Sequence, residues 1–292
     1  MNISNPSALA REFMEGGRCE SCPVIDMHGH YGPFHGGYLP AADPDRLSHI
    51  LSRAGVRLLV CSSHDALFAE PDEGNAQIQD AIDRYPGQIL GYWACNPNFP
   101  EQVKRAGDDF AGAHGFVGFK FLPDYHTYPV TGKNYAPALE YADEHALNVL
   151  VHTWGGSAFD SPRHIEEIAG RYPNAVFIMG HSGFGEWDVV LPLARDFPNV
   201  YLELTCVYFA HDFGNLPVRS GAPMGLMSYL QMNGIMERMV ECASSKKILY
   251  GTDMPWYSPH YAIGTILFAK IDEEARHDIL YRNAERLLAK WL

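Results

Sequence analysis

The sequence predicts an α/β protein: a single (β/α)8 TIM barrel with a short N-terminal extension. Three observations carry this. Eight short apolar runs alternate with amphipathic helical stretches. Several runs are rich in Val, Ile, Leu and aromatics without clean alternation, as strands covered on both faces should be. No Ser/Gly-rich linker or charge block divides the 292 residues, a length that α/β barrels reach as one unit. Eight strand–helix units with right-handed crossovers then close into a barrel. Residues 1–22 read as the extension and residues 23–292 as the barrel.

In order, Asn5-Pro6-Ser7 starts a short helix in the extension. Pro23–His28 is the first strand, and Asp43-Pro44 opens a helix after it, with Pro at the first helical position. Arg57–Ser62 is the second strand. A helix over Gln77–Tyr85 stops before Pro86-Gly87. Ile89–Cys95 and Phe116–Leu122 are the third and fourth strands. Asn148–His152 is the fifth. Ser161-Pro162 opens the next helix, which ends before Pro173-Asn174. Ala175–His181, Val200–Thr205 and Lys247–Thr252 complete the eight. Two long loops, Pro123–Asn134 and Cys206–Pro223, follow strands four and seven. In a barrel these lie at the strands' C-terminal ends, where active sites sit.

Composition narrows the classes. Lys plus Arg number 22 and Asp plus Glu 35, a formal charge of −13, which argues against non-specific binding to nucleic acid or an anionic membrane. Residues 1–22 hold no apolar leader, and no apolar run reaches the roughly 20 residues of a membrane span. Cys19, Cys22, Cys61, Cys95, Cys206 and Cys242 are too scattered for a disulfide framework, so a reducing cytoplasm is expected. Cys19-Glu20-Ser21-Cys22 is half of a zinc-ribbon spacing without its second half, and free thiols are the better reading. Met224, Met227, Met232, Met236 and Met239 recur near helical spacing, which suits core packing or a seam between subunits of a homo-oligomer.

The polar chemistry collects at one end. Of 14 histidines, nine fall at strand C-termini or just beyond: His28, His30, His35, His64, His126, His152, His181, His211 and His260. Asp26-Met27-His28-Gly29-His30 ends the first strand. Residues two apart on a strand share a face, about 6.6 Å apart at roughly 3.3 Å per residue, so two imidazoles can converge on one ion. Strand five ends in His152, strand six in His181 and strand eight in Asp253. One such residue is unremarkable; four at the tops of barrel strands point to a site. Zinc fits best, held by His28, His30, His152 and Asp253. It would supply a water acidified to a pKa of about 7. Asp253 would take that water's proton and pass it to a leaving group. His181 would orient the water or stabilise developing charge. Asp26 would hydrogen-bond a ligand or serve as a structural strand-end carboxylate.

These residues resemble the amidohydrolase superfamily, most closely its amidohydrolase-related branch of TIM-barrel metal-dependent hydrolases and aminocarboxymuconate-semialdehyde decarboxylases. The likeness rests on Asp26-x-His28-x-His30, His152 in Val-His-Thr-Trp, His181 in Gly-His-Ser-Gly and Asp253 in Gly-Thr-Asp-Met-Pro-Trp. Asn283-Ala284-Glu285-Arg286-Leu287-Leu288 is similar to the branch's closing helix. The resemblance implies a divalent metal, usually zinc, and hydrolysis or non-oxidative decarboxylation of a small molecule. Lys120, ending strand four, takes a place where binuclear members carry a carboxylated lysine. By resemblance it could bridge two metals, with His181 on the second. Unmodified, it could meet an anionic substrate or a carboxylate.

The loops suggest a small, flat or ring-bearing substrate. Tyr31, Phe34, His35 and Tyr38 follow strand one, and Tyr125, His126 and Tyr128 follow strand four. Trp154 follows strand five, Tyr208 and Phe209 strand seven, and Trp256 and Tyr257 strand eight. Arg163, Arg219 and Lys133 are candidates for gripping a carboxylate. The leading expectation is a zinc-dependent hydrolase of an amide, ester or lactone. The alternative is a decarboxylase of an aromatic or muconate-type acid at the same mononuclear site.

Overall fold

A computed structural model of the chain describes residues 6–207 and 234–292. Asn5, Tyr208, Phe209, His211, Arg219, Met224, Met227, Met232 and most of the Cys206–Pro223 loop lie outside the described residues.

Eight parallel strands stand in chain order: β1 (Val24–Tyr31), β2 (Val56–Ser63), β3 (Ile89–Ala94), β4 (Phe116–Phe121), β5 (Asn148–Trp154), β6 (Val176–Phe184), β7 (Val200–Glu203) and β8 (Ile248–Leu249). Helices fill the crossovers. The expected (β/α)8 barrel is therefore observed. The strands differ from expectation by one to three residues at their ends, β5 and β6 running on to Trp154 and Phe184 and β7 stopping at Glu203. β1 runs on through His30 to Tyr31. β8 is short because the chain beyond Leu249 leaves β7 and turns to β1. There Tyr250 O accepts from Met27 N (2.9 Å), and Asp253 N donates to His28 O (2.7 Å). These bonds close the barrel and bring Asp253 beside His28.

The helix starts follow local chemistry. Asp43 caps Pro44–Ala54 by accepting from Arg46 N (3.0 Å), and Gly55 ends it in the left-handed conformation, as Ncap aspartate and C′ glycine do. Leu47, Leu51 and Ala54 line its buried face. In the extension, Ser7 caps Ala8–Gly16, and Leu9 and Ala10 of that helix are buried in the main core. The segment is packed onto the barrel rather than trailing from it.

Two apolar layers form. One lies between strands and helices. The other contains Ile25, Met27, Leu58, Val60, Tyr92, Val117, Leu150, Ile178 and Leu249, closed below by Ala284 and Leu288. These strand residues alternate with those of the outer layer, so they fill the barrel interior. Asn283 donates to Ser245 O and Ile248 O, both 2.7 Å, and fixes the closing helix to the foot of β8. With the floor sealed by apolar side chains, polar groups remain for the upper end.

A bulge aims the first histidine. Asp26 pairs with Leu59 and Gly29 with Cys61, three steps on β1 against two on β2. The extra residue lets Met27 and His28, neighbours in sequence, share the interior side. Without it His28 would face the helices, with Val24.

Candidate active site and metal centre

The strand tops place His28, His30, Lys120, His152, His181 and Asp253 around one cavity of about 260 Å3. His28 and Asp253 form its centre. Asp253 Oδ1 lies 3.2 Å from His28 Nε2 and accepts from His30 Nε2 at 2.8 Å. Ligand atoms of His28, His181 and Asp253 all fall within 4.8 Å of one another. His152 reaches this group through His181, its Nδ1 lying 3.0 Å from His181 Nε2. The tightest set therefore contains His181, which was expected beside the ion. His30 joins it through Asp253, as His152 does through His181.

His28, His30, Lys120, His152 and His181 are buried and Asp253 is nearly so, and burial sets the charge of His28, Lys120, His152 and His181. It pushes the His28 and His152 rings well below the usual imidazole range, with Lys120 and His181 adding to the effect respectively. Burial lowers His181 to about 4 and Lys120 to about 8. Burial acts upward on Asp253, but the facing His28 and His30 outweigh it and hold the carboxyl well below its ordinary value. At neutral pH His28, His152 and His181 are thus neutral imidazoles and Asp253 an ionised carboxylate, the protonation states a metal requires. His30 Nδ1 and His181 Nδ1 are buried without a hydrogen-bond partner among the described residues. Orphaned nitrogens beside a carboxylate fit a divalent ion.

The backbone at these tops is unusual. His181 (φ 63°), Ser182 (φ 49°) and Asp253 (φ 60°) are all left-handed. Anchors hold the His181 corner. Ser182 Oγ donates to Glu203 O (2.7 Å), while Thr153 Oγ1 donates to Gly180 O (2.6 Å) and accepts from Gly183 N (2.8 Å).

Asp26 hydrogen-bonds backbone N–H groups and a hydroxyl rather than an imidazole. Its Oδ1 accepts from His28 N and Thr252 N, both 3.1 Å, and its Oδ2 from the Thr252 hydroxyl. It sews the β1–β8 seam beneath the site. Lys120 Nζ lies 2.8 Å from His28 Nε2, so an ion on that nitrogen takes the place of this hydrogen bond.

Glu203 escaped the sequence reading. It is fully buried, and its Oε2 accepts from His28 Nδ1 at 2.8 Å. The available signal was a carboxylate inside the apolar run Val200-Tyr201-Leu202-Glu203-Leu204, where burial demands donors. Asp160 was also missed. It lies with Asp124 and His152, ligand atoms within 4.8 Å. Its oxygens accept from Trp154 N (3.2 Å) and Asp124 N (3.3 Å), and Asp124 accepts from Ser157 Oγ (2.7 Å). That pair ties the loop after β5.

Rings form the walls. Phe34, Tyr125, Trp154, Trp256 and Tyr257 line the cavity, with Phe68 and His64 added by the short helix His64–Phe68. His64 donates from Nδ1 to Gly32 O (2.8 Å) and accepts from Trp256 Nε1 (3.1 Å). Its ring stacks on His30 at 5.0 Å. Other expected rim residues lie elsewhere. Tyr31 is in the core, Tyr38 is 85% exposed, and Tyr128 packs on Tyr135. Arg163 and Lys133 do not line this cavity. The six cysteines are free thiols, and Cys206 borders the cavity. No helix among the described residues is long and apolar enough to cross a membrane.

Comparison with known proteins adds three findings. A family model described as amidohydrolase matches residues 25–290. No curated protein sequence matches the chain. Solved structures share the fold at low identity. An uncharacterised TIM-barrel protein from Bordetella bronchiseptica is 18% identical with a TM-score of 0.68, covering 92% of this chain and 99% of that one. A 5-carboxyvanillate decarboxylase from Novosphingobium aromaticivorans, complexed with manganese and 4-hydroxy-3-methoxy-5-nitrobenzoic acid, is 12% identical with a TM-score of 0.66, covering 92% and 96%. A 2,6-dihydroxybenzoate decarboxylase from Rhizobium is 14% identical with a TM-score of 0.64, covering 92% and 99%.

Proposed function

Since the chain belongs to the amidohydrolase family, we propose that it is a metal-dependent enzyme that decarboxylates a small aromatic acid without oxidation. The observation that carries this is the cavity itself: about 260 Å3, walled by Phe34, Phe68, Tyr125, Trp154 and Trp256, with the His28–Asp253 group among its lining. Such a pocket suits one flat ring carrying one anionic group. The sequence alone put hydrolysis first. The ring-lined pocket, and the aromatic acids named for similar folds, move decarboxylation ahead.

His28, His30 and Asp253 would hold the ion, with His152 and His181 completing or flanking the set. Zinc suits the imidazoles, and manganese occupies one of the similar structures. When bound, the ion supplies a Lewis acid that grips and polarises the substrate. The chain's own groups do the rest. The aromatic walls hold the ring and exclude water. Lys120, released from His28, meets the acid's negative charge. As CO2 leaves, the C–C electron pair stays on the ring carbon, and that carbon takes one proton. That proton comes from solvent, and Asp253 and His181 would relay it, His181 through its unpartnered Nδ1.

Lys120 supports a second reading. A fully buried amine lowered to about 8 is partly neutral near pH 8 and open to carboxylation by CO2. A carboxylated Lys120 with His181 would hold a second ion, the arrangement of a hydrolase. Protein loaded with zinc or manganese should release CO2 from hydroxylated benzoic acids and should leave lactones and amides intact. Turnover of lactones with no CO2 from any such acid would refute decarboxylation. Two metal equivalents, falling to one in Lys120→Met, would identify the second reading.

A further inference from the structure

We propose that Glu203 is a positioning residue of the metal centre: it fixes the His28 ring so that Nε2 faces the ion, and it holds the His181 corner against the same carboxylate. Four donors converge on its two oxygens. Oε2 takes His28 Nδ1–H (2.8 Å) and His181 N–H (3.1 Å). Oε1 takes Thr205 N–H (2.6 Å) and the Thr205 hydroxyl. A carboxylate has about four acceptor sites, so Glu203 has none to spare for an ion and cannot itself be a ligand. Its place is also cut to shape. A Cβ on Gly251 would stand 2.0 Å from Oε1, so a glycine lets the chain that follows β8 pass beside it.

The consequence for His28 is a choice of tautomer. A buried carboxylate on Nδ1 keeps the proton there and leaves the Nε2 lone pair pointing at Asp253 and Lys120. Metal-ligating histidines are commonly oriented by such a partner, and losing it costs about 10- to 100-fold in metal affinity. The same oxygen restrains His181 N, and Glu203 O restrains the Ser182 hydroxyl. One residue of β7 thus joins a strand-one ligand to the left-handed turn of strand six.

This inference rests on the metal-centre reading, and the test separates the two. In ion-free, 15N-labelled wild-type protein the His28 ring, assigned by its loss in His28→Asn, should show the Nδ1–H tautomer. Zinc affinity, measured by competition with a chromophoric chelator, should fall about 10- to 100-fold in Glu203→Gln, with the far-ultraviolet circular dichroism of wild type. An Nε2–H tautomer in the wild-type protein overturns the proposal, whether or not the variant folds. So does a folded Glu203→Gln that binds zinc within twofold of wild type. Wild-type protein that binds no zinc or manganese overturns the metal-centre reading, and this proposal with it.

Discussion

His181, Ser182 and Asp253 adopt a left-handed backbone that costs a residue with a Cβ about 1–2 kcal/mol. Such strain persists where the surroundings over-determine it, and it gathers at functional sites. Thr153 shows how it is held. Its hydroxyl spans Gly180 O and Gly183 N, the two ends of the His181 corner. Thr153→Val keeps the shape and removes both bonds, so it should lower stability by about 1–3 kcal/mol, read by chemical denaturation. Activity should fall further than stability explains, because the corner carries His181. His152 differs in kind. His152→Ala should lose the bound ion and turnover while keeping the fold, checked by metal analysis beside circular dichroism. Wild-type activity in that variant would remove His152 from the site.

Strands bring these residues together, and closely fitted seams set their register. Gly118 pairs with Asn148 where β4 meets β5, and a Cβ there would sit 1.8 Å from Asn148 O. That atom is backbone and cannot swing aside. Gly118→Ala should therefore separate the strands that carry Lys120 and His152, at about 3 kcal/mol or more. A melting temperature within a degree of wild type would show that the seam tolerates a side chain. The strands were legible because apolar runs flanked by helix caps such as Asp43-Pro44 leave few other folds. His28, Lys120, His152, His181 and Asp253 were legible because polar residues ending such runs share one rim. Their mutual distances were not. The β1 bulge that turns His28 inward depends on pairing with β2, which sequence does not show. Glu203 was hidden for a related reason: its donors come from β1, β6 and its own turn. Phe68 was missed because it belongs to a helix inside a crossover rather than to the residues next to a strand end.

Across the whole molecule, buried titratable groups make stability depend on pH in two opposed ways. Burial keeps His28 and His152 well below the ordinary value, and His64, His126 and His181 at about 4. The unfolded rings titrate near about 6.5. In that window the unfolded chain binds more protons, so the stability these rings supply is present at neutral pH and lost as pH falls toward 4. Burial raises Asp26 and Glu203, and lifts Asp160 to about 7. Their contribution runs the other way, being full below about 4 and lost as pH rises through each folded value. Five rings oppose three carboxyls, so the ion-free protein should weaken on acidification from pH 6.5. His126 isolates one ring away from the site. Its Nε2 donates to Leu67 O (2.7 Å) and its Nδ1 accepts from Tyr135 Oη (3.1 Å), a pattern that only the neutral ring completes. His126→Gln removes that proton, so between pH 6.5 and 5 its stability should fall less steeply than wild type, by up to about 1.4 kcal/mol per pH unit. Denaturation of both proteins at the two pH values measures the difference. Equal slopes would mean that His126 titrates in the fold as it does in the unfolded chain.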